Sequence, residues 1–382
     1  MTHIYVIRHA EAEGNLYRRG QGHYNAGITS RGYKQIDALA ERFREIHVDA
    51  VYSSDLFRAM ETAGAVTRYH NIPIQTTTKL REINLGAWED RPWGNIEYEE
   101  FQQIHNFNAD PENWIVDRSE PFPELAKRIT SAAIDIAERH EGQTVVIVSH
   151  GMAIRTMLCH FLGYAMNEVN NVSHADNTAV SLLNYDEGRV TVEYCNDNSH
   201  LPNEISTLYG QSWWKTKSGT DRKNLRFEPM DIASEKELYT RCYADAWMES
   251  YGNMEHFDPE VYYERAVEHS EARPDALMKV MMGDDFAGLV ELDVAKGKED
   301  GIGWISLCYM APNHRGKKLA IQLIGHAISV YGRLGRNKLG LNVSVGNKIA
   351  VAFYKRCDFY ETGRKPGVSS ELLFMQKDIV SR

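Results

Sequence analysis

In the stretch His3–Asn15, HIYVIRHAEAEGN, a cation and an imidazole, Arg8 and His9, stand side by side where a run of β-branched residues ends. Ile4, Val6 and Ile7 predict a short buried strand, and the polar, glycine-bearing turn after it stops that strand abruptly. An α/β fold usually places ligands at the carboxyl ends of its strands, where these two side chains fall. Three more positions carry matching chemistry: Arg58 in SSDLFRAMETA, Glu82 in LREINLGAWED, and His150 at the end of VVIVSHG. Two arginines and two histidines can hold a tetrahedral dianion through charge-assisted, partly bidentate bonds. One imidazole can act as a nucleophile, and a carboxyl group can protonate a leaving oxygen. A second centre lies far downstream in GWISLCYMAPNHRGKKLAIQLIGHAI, read as strand, basic turn and helix. Free N–H groups and the dipole at such a helix start suit a pyrophosphate, although GxxxxGK[ST] is absent.

The elements that position these residues alternate. An amphipathic helix carries Ile36, Leu39, Ala40 and Phe43, with Thr29 or Ser30 as its N-cap. A strand at Ala50–Tyr52, a helix bearing Arg58 and a strand after Pro73 follow. Residues 91–123, rich in proline and aromatics, are expected to be irregular and to form a lid over the sheet's carboxyl edge. A helix over Glu124–His140, the strand before His150, the helix MAIRTMLCHFL and two strands complete an α/β sandwich. Residues 201–221, polar and turn-rich, read as a linker between a domain at 1–200 and one at 222–382. Trp213-Trp214 are an apolar patch in it, and Lys217–Thr220 its flexible end. The second domain starts with a strand at Leu225–Phe227 and two helices, Ser234–Ser250 and Pro259–Ser270. Two strands joined at Gly283-Asp284-Asp285 follow. Next come a strand at Trp304–Met310, a helix at Gly316–Tyr331, a strand at Leu339–Val343, a helix at Lys348–Arg356 and two last strands. This order makes an α+β domain.

Composition sets the outer limits. A chain of 382 residues is too long for one ordinary core, so two domains are expected. A net charge of −10 argues against broad nucleic-acid or anionic-membrane binding, so anionic substrates need local positive sites. No signal-peptide pattern follows Met1, and nothing approaches an 18-residue apolar run. The five scattered cysteines lack CxxC spacing and read as reduced thiols of a cytoplasmic protein. No metal-ligand cluster is recognisable, so no metal is expected.

Five ordered motifs, RHAEAEGN, QGHYNAGITSRGYKQ, VYSSDLFRAMETA, LREINLGAWED and VVIVSHGMAIR, resemble the histidine phosphatase superfamily with its phosphoglycerate mutase-like fold, across residues 2–195. The resemblance implies that His9 is the nucleophile that forms a phosphohistidine. Arg8, Arg58 and His150 would hold the phosphoryl oxygens, and Glu82 would donate the proton. Asn15, Gln21 and Gly22 match positions lining the same pocket. Ala10 stands where that family usually has glycine, as does Asp90. The methyl of Ala10 would crowd the turn only if the backbone there needs positive φ. Mutases of the family resemble longer chains with added segments, and the compact interval from Glu82 to His150 favours hydrolysis by water.

The second half, over about residues 222–382, resembles the GNAT acetyltransferases. Arg315 to Ala320 matches the acyl-CoA loop, and Asn347, Tyr354 and Phe359 match a later element. Lys318 and Asp358 replace the usual glycines. The resemblance implies that acetyl-CoA binds at Met310, Arg315, Gly316, Lys317, Lys318, Leu319, Ala320 and Asn347, and that Tyr354 protonates the departing thiolate. No motif fixes a general base, and Glu291 is a candidate. The expected protein joins a phosphomonoesterase to an N-acetyltransferase. Its partners would be a small phosphorylated metabolite and a small-molecule or peptide amine, with no nucleic acid and no membrane. Two alternatives stay open: a GNAT domain that only binds acyl-CoA as sensor or scaffold, and phosphoglycerate mutase-type phosphotransfer. Neither natural substrate nor the oligomeric state is legible.

Overall fold

The computed structural model describes residues 1–211 and 223–379. They divide into two compact units, one of residues 1–91 and 96–211, the other of 92–95 and 223–379.

The first unit contains β1 (Thr2–Arg8), α1 (Glu13–Tyr17), α2 (Ser30–Phe43), β2 (Ala50–Ser54), α3 (Phe57–Thr67) and β3 (Ile74–Thr77). After these come α4 (Trp93–Glu99), whose residues 93–95 fall in the other unit, α5 (Phe101–Ala109), α6 (Phe122–Arg139), β4 (Thr144–Ser149), α7 (Gly151–Phe161), β5 (Val180–Asp186) and β6 (Arg189–Asp197). The sheet runs β3-β2-β4-β1-β5-β6, with β1 parallel to β4 and antiparallel to β5. Register decides the site. Arg8 pairs with Ser149, so the next residues, His9 and His150, leave two adjacent parallel strands side by side. Thr29 caps α2 by accepting from the N–H of Gly32 at 3.0 Å, as its residue type predicts. The apolar face of α2 (Ile36, Leu39, Phe43) then packs with Ala63 and Val66 of α3 against Ile7, Val51, Val146 and Val148 of the sheet.

Two expectations change here. The stretch 91–123 is not irregular: it forms α4, α5 and a short 3-10 turn at Pro111–Asn113. Three of its aromatics, Phe107, Trp114 and Phe122, pack edge-on with Trp88 at centroid distances of 5.1 to 5.9 Å, whereas Tyr98 and Phe101 are exposed. Proline and aromatic content suggested loop because it hid this local packing. Residues 201–211, read as linker, belong to the first unit, with Leu201, Ser206 and Thr207 buried. Trp213-Trp214 and Lys217–Thr220 lie outside the described residues.

The second unit contains β7 (Arg226–Pro229), α8 (Lys236–Tyr251), α9 (Pro259–Ala272), β8 (Leu277–Met282), β9 (Asp285–Asp293) and β10 (Ile302–Met310). It continues through α10 (Ile321–Arg333), β11 (Lys338–Ser344), α11 (Lys348–Arg356), β12 (Tyr360–Pro366) and β13 (Glu371–Asp378). The sheet order is β12-β13-β11-β10-β9-β8-β7. Strands β10 and β11 run parallel and pair only from Ile302 to Trp304; beyond that point they part. The helix expected from Gly316 starts at Ile321 instead, because Gly316 and Lys318 take left-handed backbone angles (φ 74° and 61°) that no right-handed helix can contain.

Candidate functional site

In the first unit His9, buried at the end of β1, lies with its ring centroid 5.1 Å from that of His150. The Nδ1 of His9 is 2.7 Å from the carbonyl oxygen of Ala10, which can only accept. Nδ1 therefore carries the proton, and Nε2 keeps its lone pair. Burial strips water from the charged ring, and the Arg58 and Arg8 cations repel a further positive charge. Together they hold His9 well below the ordinary imidazole range. Burial does the same to His150, reinforced by Arg58. Both rings are thus neutral at neutral pH.

The two guanidiniums are tethered by backbone carbonyls, not by carboxylates. Arg8 donates to Ala175 O at 2.5 Å. Arg58 donates to Tyr24 O at 2.9 Å and Gly22 O at 2.7 Å, and burial lowers its pKa to about 10, still charged at neutral pH. Their Nε atoms have no partner among the described residues, and neither do both ring nitrogens of His150 or the side-chain amide of Gln21. The two guanidinium Nε–H groups and the Gln21 NH2 are buried donors of the kind that suit an anion. Glu82 sits at the start of α7, where its carboxylate accepts from the N–H groups of Met152 (2.9 Å), Ala153 (2.8 Å) and its own neighbour Ile83 (3.0 Å). Asn15 uses its Oδ1 to accept from Ala12 N at 3.1 Å. Gly22 acts through its backbone: a Cβ there would lie 2.4 Å from Ile83 O, so only glycine fits beneath Arg58. Ala10 does not take a positive φ, and its N–H donates to Thr62 Oγ1 at 2.8 Å, so its methyl leaves the turn intact.

Sequence reading passed over three residues that build this centre. Glu89 gathers the N–H groups of Gly22, His23 and Tyr24 at 2.7 to 3.1 Å and so shapes the loop that holds Arg58. Burial raises its pKa against those bonds. His23 donates from Nε2 to Glu82 O at 3.0 Å. Asn177, fully buried, donates to His9 O at 2.8 Å, and its Oδ1 has no partner among the described residues. Glu89 and His23 lie inside quoted motifs, whereas nothing flags Asn177 before the fold is known.

In the second unit Tyr354 is buried, in edge contact with Phe359 at 5.5 Å, and burial beside Cys308 raises its hydroxyl well above the usual phenol range. Asn347 caps α11 through Oδ1, which accepts from Ala350 N at 3.0 Å. Arg315, expected to bind acetyl-CoA, is occupied: it donates to Met310 O at 2.9 Å and pairs with Asp245 and with Glu249 (2.9 Å). From Gly316 to Ile321 the backbone N–H groups have no acceptor among the described residues. Two left-handed residues, Gly316 and Lys318, lie within this run. Glu291 is buried and accepts from Tyr239 OH (2.9 Å) and His269 Nδ1 (2.7 Å). Burial opposes charge on the His269 ring, but the Glu291 bond and the nearby Asp293 outweigh it and raise its pKa. Among the described residues no group of His, Cys, Asp and Glu could hold a metal, and no helix is long and apolar enough to cross a membrane.

Comparison with known proteins follows the same division. The histidine phosphatase superfamily (branch 1) profile matches residues 4–198, and the acetyltransferase (GNAT) family profile matches 236–359. A curated relative named "Probable phosphoglycerate mutase GpmB", from Yersinia pestis (strain Pestoides F), is 29% identical over 206 residues, spanning 53% of this chain and 95% of its own. The same name and figures hold for a protein of Yersinia pseudotuberculosis serotype O:1b. Bacillus stearothermophilus YhfR, a solved structure, is 32% identical with a TM-score of 0.51, over 52% of this chain and 99% of its own.

Proposed function

Because this chain belongs to the histidine phosphatase superfamily and carries a GNAT family domain after it, we propose that it hydrolyses a phosphomonoester through His9 and transfers an acetyl group from acetyl-CoA. The observation that carries the first half is the tautomer of His9, whose Ala10 bond leaves Nε2 unprotonated beside two arginines and His150. The ester binds as its monoanion and passes its proton to Glu82; Nε2 then attacks phosphorus while the bond to the leaving oxygen breaks, and Glu82 gives that oxygen the proton. Arg8, Arg58 and His150 neutralise the equatorial oxygens. Water, deprotonated by Glu82, then attacks the phosphohistidine and frees inorganic phosphate and neutral His9. The test is turnover of p-nitrophenyl phosphate by the wild type and by His9→Ala, with acid-quench trapping of a phosphohistidine. Undiminished turnover in His9→Ala refutes the assignment. The name of the curated relatives supports a second reading, phosphoglycerate interconversion. Retention of the phosphoryl group on product, instead of release, would favour it.

The second half fits acetyl-CoA. The N–H groups from Gly316 to Ile321 suit its pyrophosphate, and the gap between β10 and β11 leaves backbone groups for its pantetheine arm. Lys317 and Lys318 supply the local charge that Arg315 does not. Acetyl-CoA brings the activated thioester; Tyr354 holds a proton on its hydroxyl, and Glu291 is the candidate base. Five unpaired cysteines suit a reducing, cytoplasmic setting. Calorimetry with acetyl-CoA tests binding, and an amine screen tests transfer. Binding without transfer to any amine favours the sensor reading, and no binding removes both.

A further inference from the structure

We propose that residues 198–208 form a strap that positions the nucleophile, with His200 and Asp176 as its two attachment points and Thr178 as the element they hold. The proposal rests on the phosphatase reading of His9.

The backbone around the nucleophile is fixed by three consecutive residues. Asn177 donates from its side chain to His9 O at 2.8 Å, Thr178 N–H donates to Arg8 O at 3.0 Å, and Ala179 O accepts from Arg8 N at 3.1 Å. Ala175 O, just upstream, tethers the Arg8 guanidinium. To face Arg8 in this way Thr178 takes φ 63°, a left-handed angle that a β-branched residue rarely adopts. Such a conformation persists only where its surroundings impose it.

Both impositions come from 198–208. The Nδ1 of His200 faces Arg42 Nη1 at 3.2 Å, and a guanidinium only donates, so Nδ1 accepts and Nε2 carries the hydrogen. That Nε2–H is 3.1 Å from Thr178 Oγ1, which therefore accepts it. Arg42 is itself pinned by Asp197 at 2.7 Å. On the other side, Asp176 Oδ1 accepts from the N–H groups of Thr207 (3.0 Å) and Leu208 (3.2 Å), and Oδ2 from the Ser206 hydroxyl and the Asn198 amide (3.2 Å). Thr207 is locked in turn by Gln35 at 3.0 Å. From Ser199 onward these residues lie past the end of the matched phosphatase region at 198, and from 201 onward in a stretch whose composition reads as linker. They nonetheless hold the catalytic floor from behind.

The experiment uses the full chain: kcat and KM for p-nitrophenyl phosphate, with melting curves, for wild type, His200→Ala, His200→Gln and His200→Ala/Thr178→Gly. Misplacement of the nucleophile by a fraction of an ångström should lower kcat of His200→Ala by on the order of 10–100-fold, with KM within about twofold because the guanidiniums remain. His200→Gln, whose amide can donate to Thr178 Oγ1, should recover most of the loss. Glycine takes φ 63° without a Cβ penalty, so Thr178→Gly should restore kcat in the His200→Ala background. A merely structural role for His200 would depress melting without any rescue by glycine at 178. Wild-type kcat in His200→Ala overturns the strap, as does a double variant no faster than the single one. Should His200→Ala melt below the assay temperature, Asp176→Asn with and without Thr178→Gly is read by the same criteria. A wild type that neither turns over aryl phosphate nor forms phosphohistidine refutes the phosphatase reading, and the strap with it.

Discussion

Replacing Glu82 by glutamine separates chemistry from scaffolding at one side chain. The carboxylate accepts three backbone N–H groups, two on Oε1 and one, from Met152 at 2.9 Å, on Oε2. Glutamine keeps one acceptor oxygen. Placed toward Ala153 and Ile83, it sets its NH2 against the N–H of Met152, so one hydrogen bond to a charged group is lost. That is worth about 1.5–3 kcal/mol, and a unit of this size should melt roughly 3–10 °C lower as a result. The catalytic loss is of another kind. General acid catalysis is typically worth on the order of 10²–10⁴-fold, and only when the leaving oxygen needs a proton. The assay is kcat/KM for a series of aryl and alkyl phosphates, plotted against leaving-group acidity for wild type and Glu82→Gln. Nitrophenyl phosphate should lose little, and alkyl phosphates should lose the full factor, so the variant's line is steeper. Parallel lines would mean that Glu82 only caps α7, and the proton donor would have to be sought elsewhere.

Acid should unfold the first unit early. His9, His150, His174 and His200 all have pKa values depressed by burial, with His174 at about 3 and His200 at about 4. Unfolded histidine binds a proton below about 6.5 while these do not, so stability is complete above that pH and falls as pH drops from 6.5 toward 4. Each contributes roughly 1.4 kcal/mol per pH unit in that window, and melting curves from pH 7 to 4 should show the slope; a flat profile refutes it. The acid limb of kcat/KM should likewise lie below pH 6.5, because His9 stays neutral there. Tyr354→Phe should bind acetyl-CoA with unchanged affinity by calorimetry and slow acetyl transfer about 10²-fold; weakened binding would give the hydroxyl a structural role. Lys318→Gly removes a left-handed lysine (φ 61°), so it should raise the melting point of the second unit by an amount worth about 0.5–1 kcal/mol, and a lowered one would refute the strain argument.

The strands and helices of both units were largely legible because β-branched runs and helical spacing follow burial directly. Arg8, His9, Arg58, Glu82 and His150 could be found because each stands where a strand or helix begins or ends, and register then brings His9 beside His150. What stayed hidden depends on partners distant in sequence. Asn177 looks like any loop asparagine until the antiparallel return of β5 lays it under His9. Arg315 looks like free charge until α8 brings Asp245 and Glu249 to it. The departures from the two family patterns also become intelligible. Asp90, Lys318 and Asp358, each in place of an expected glycine, all have positive φ (58°, 61° and 63°), so the backbone kept the turn although the residue changed. Ala10 is the exception, since its turn never required glycine.

The parting of β10 from β11 has a mechanical side. Three rungs, from Ile302 to Trp304, are all that join β10 to its parallel neighbour. The sheet is therefore two leaves, β7–β10 and β11–β13, hinged at one end along an interior seam. A seam of this kind is an edge that never reaches the rim: backbone groups of β10 beyond Trp304 are open in the direction of β11 although neither strand ends the sheet. Exposed strand edges invite foreign strands, and folds usually guard them at the periphery with charge or short length. Here the guard is placement, because the open groups of β10 lie inside the sheet order and not at its rim.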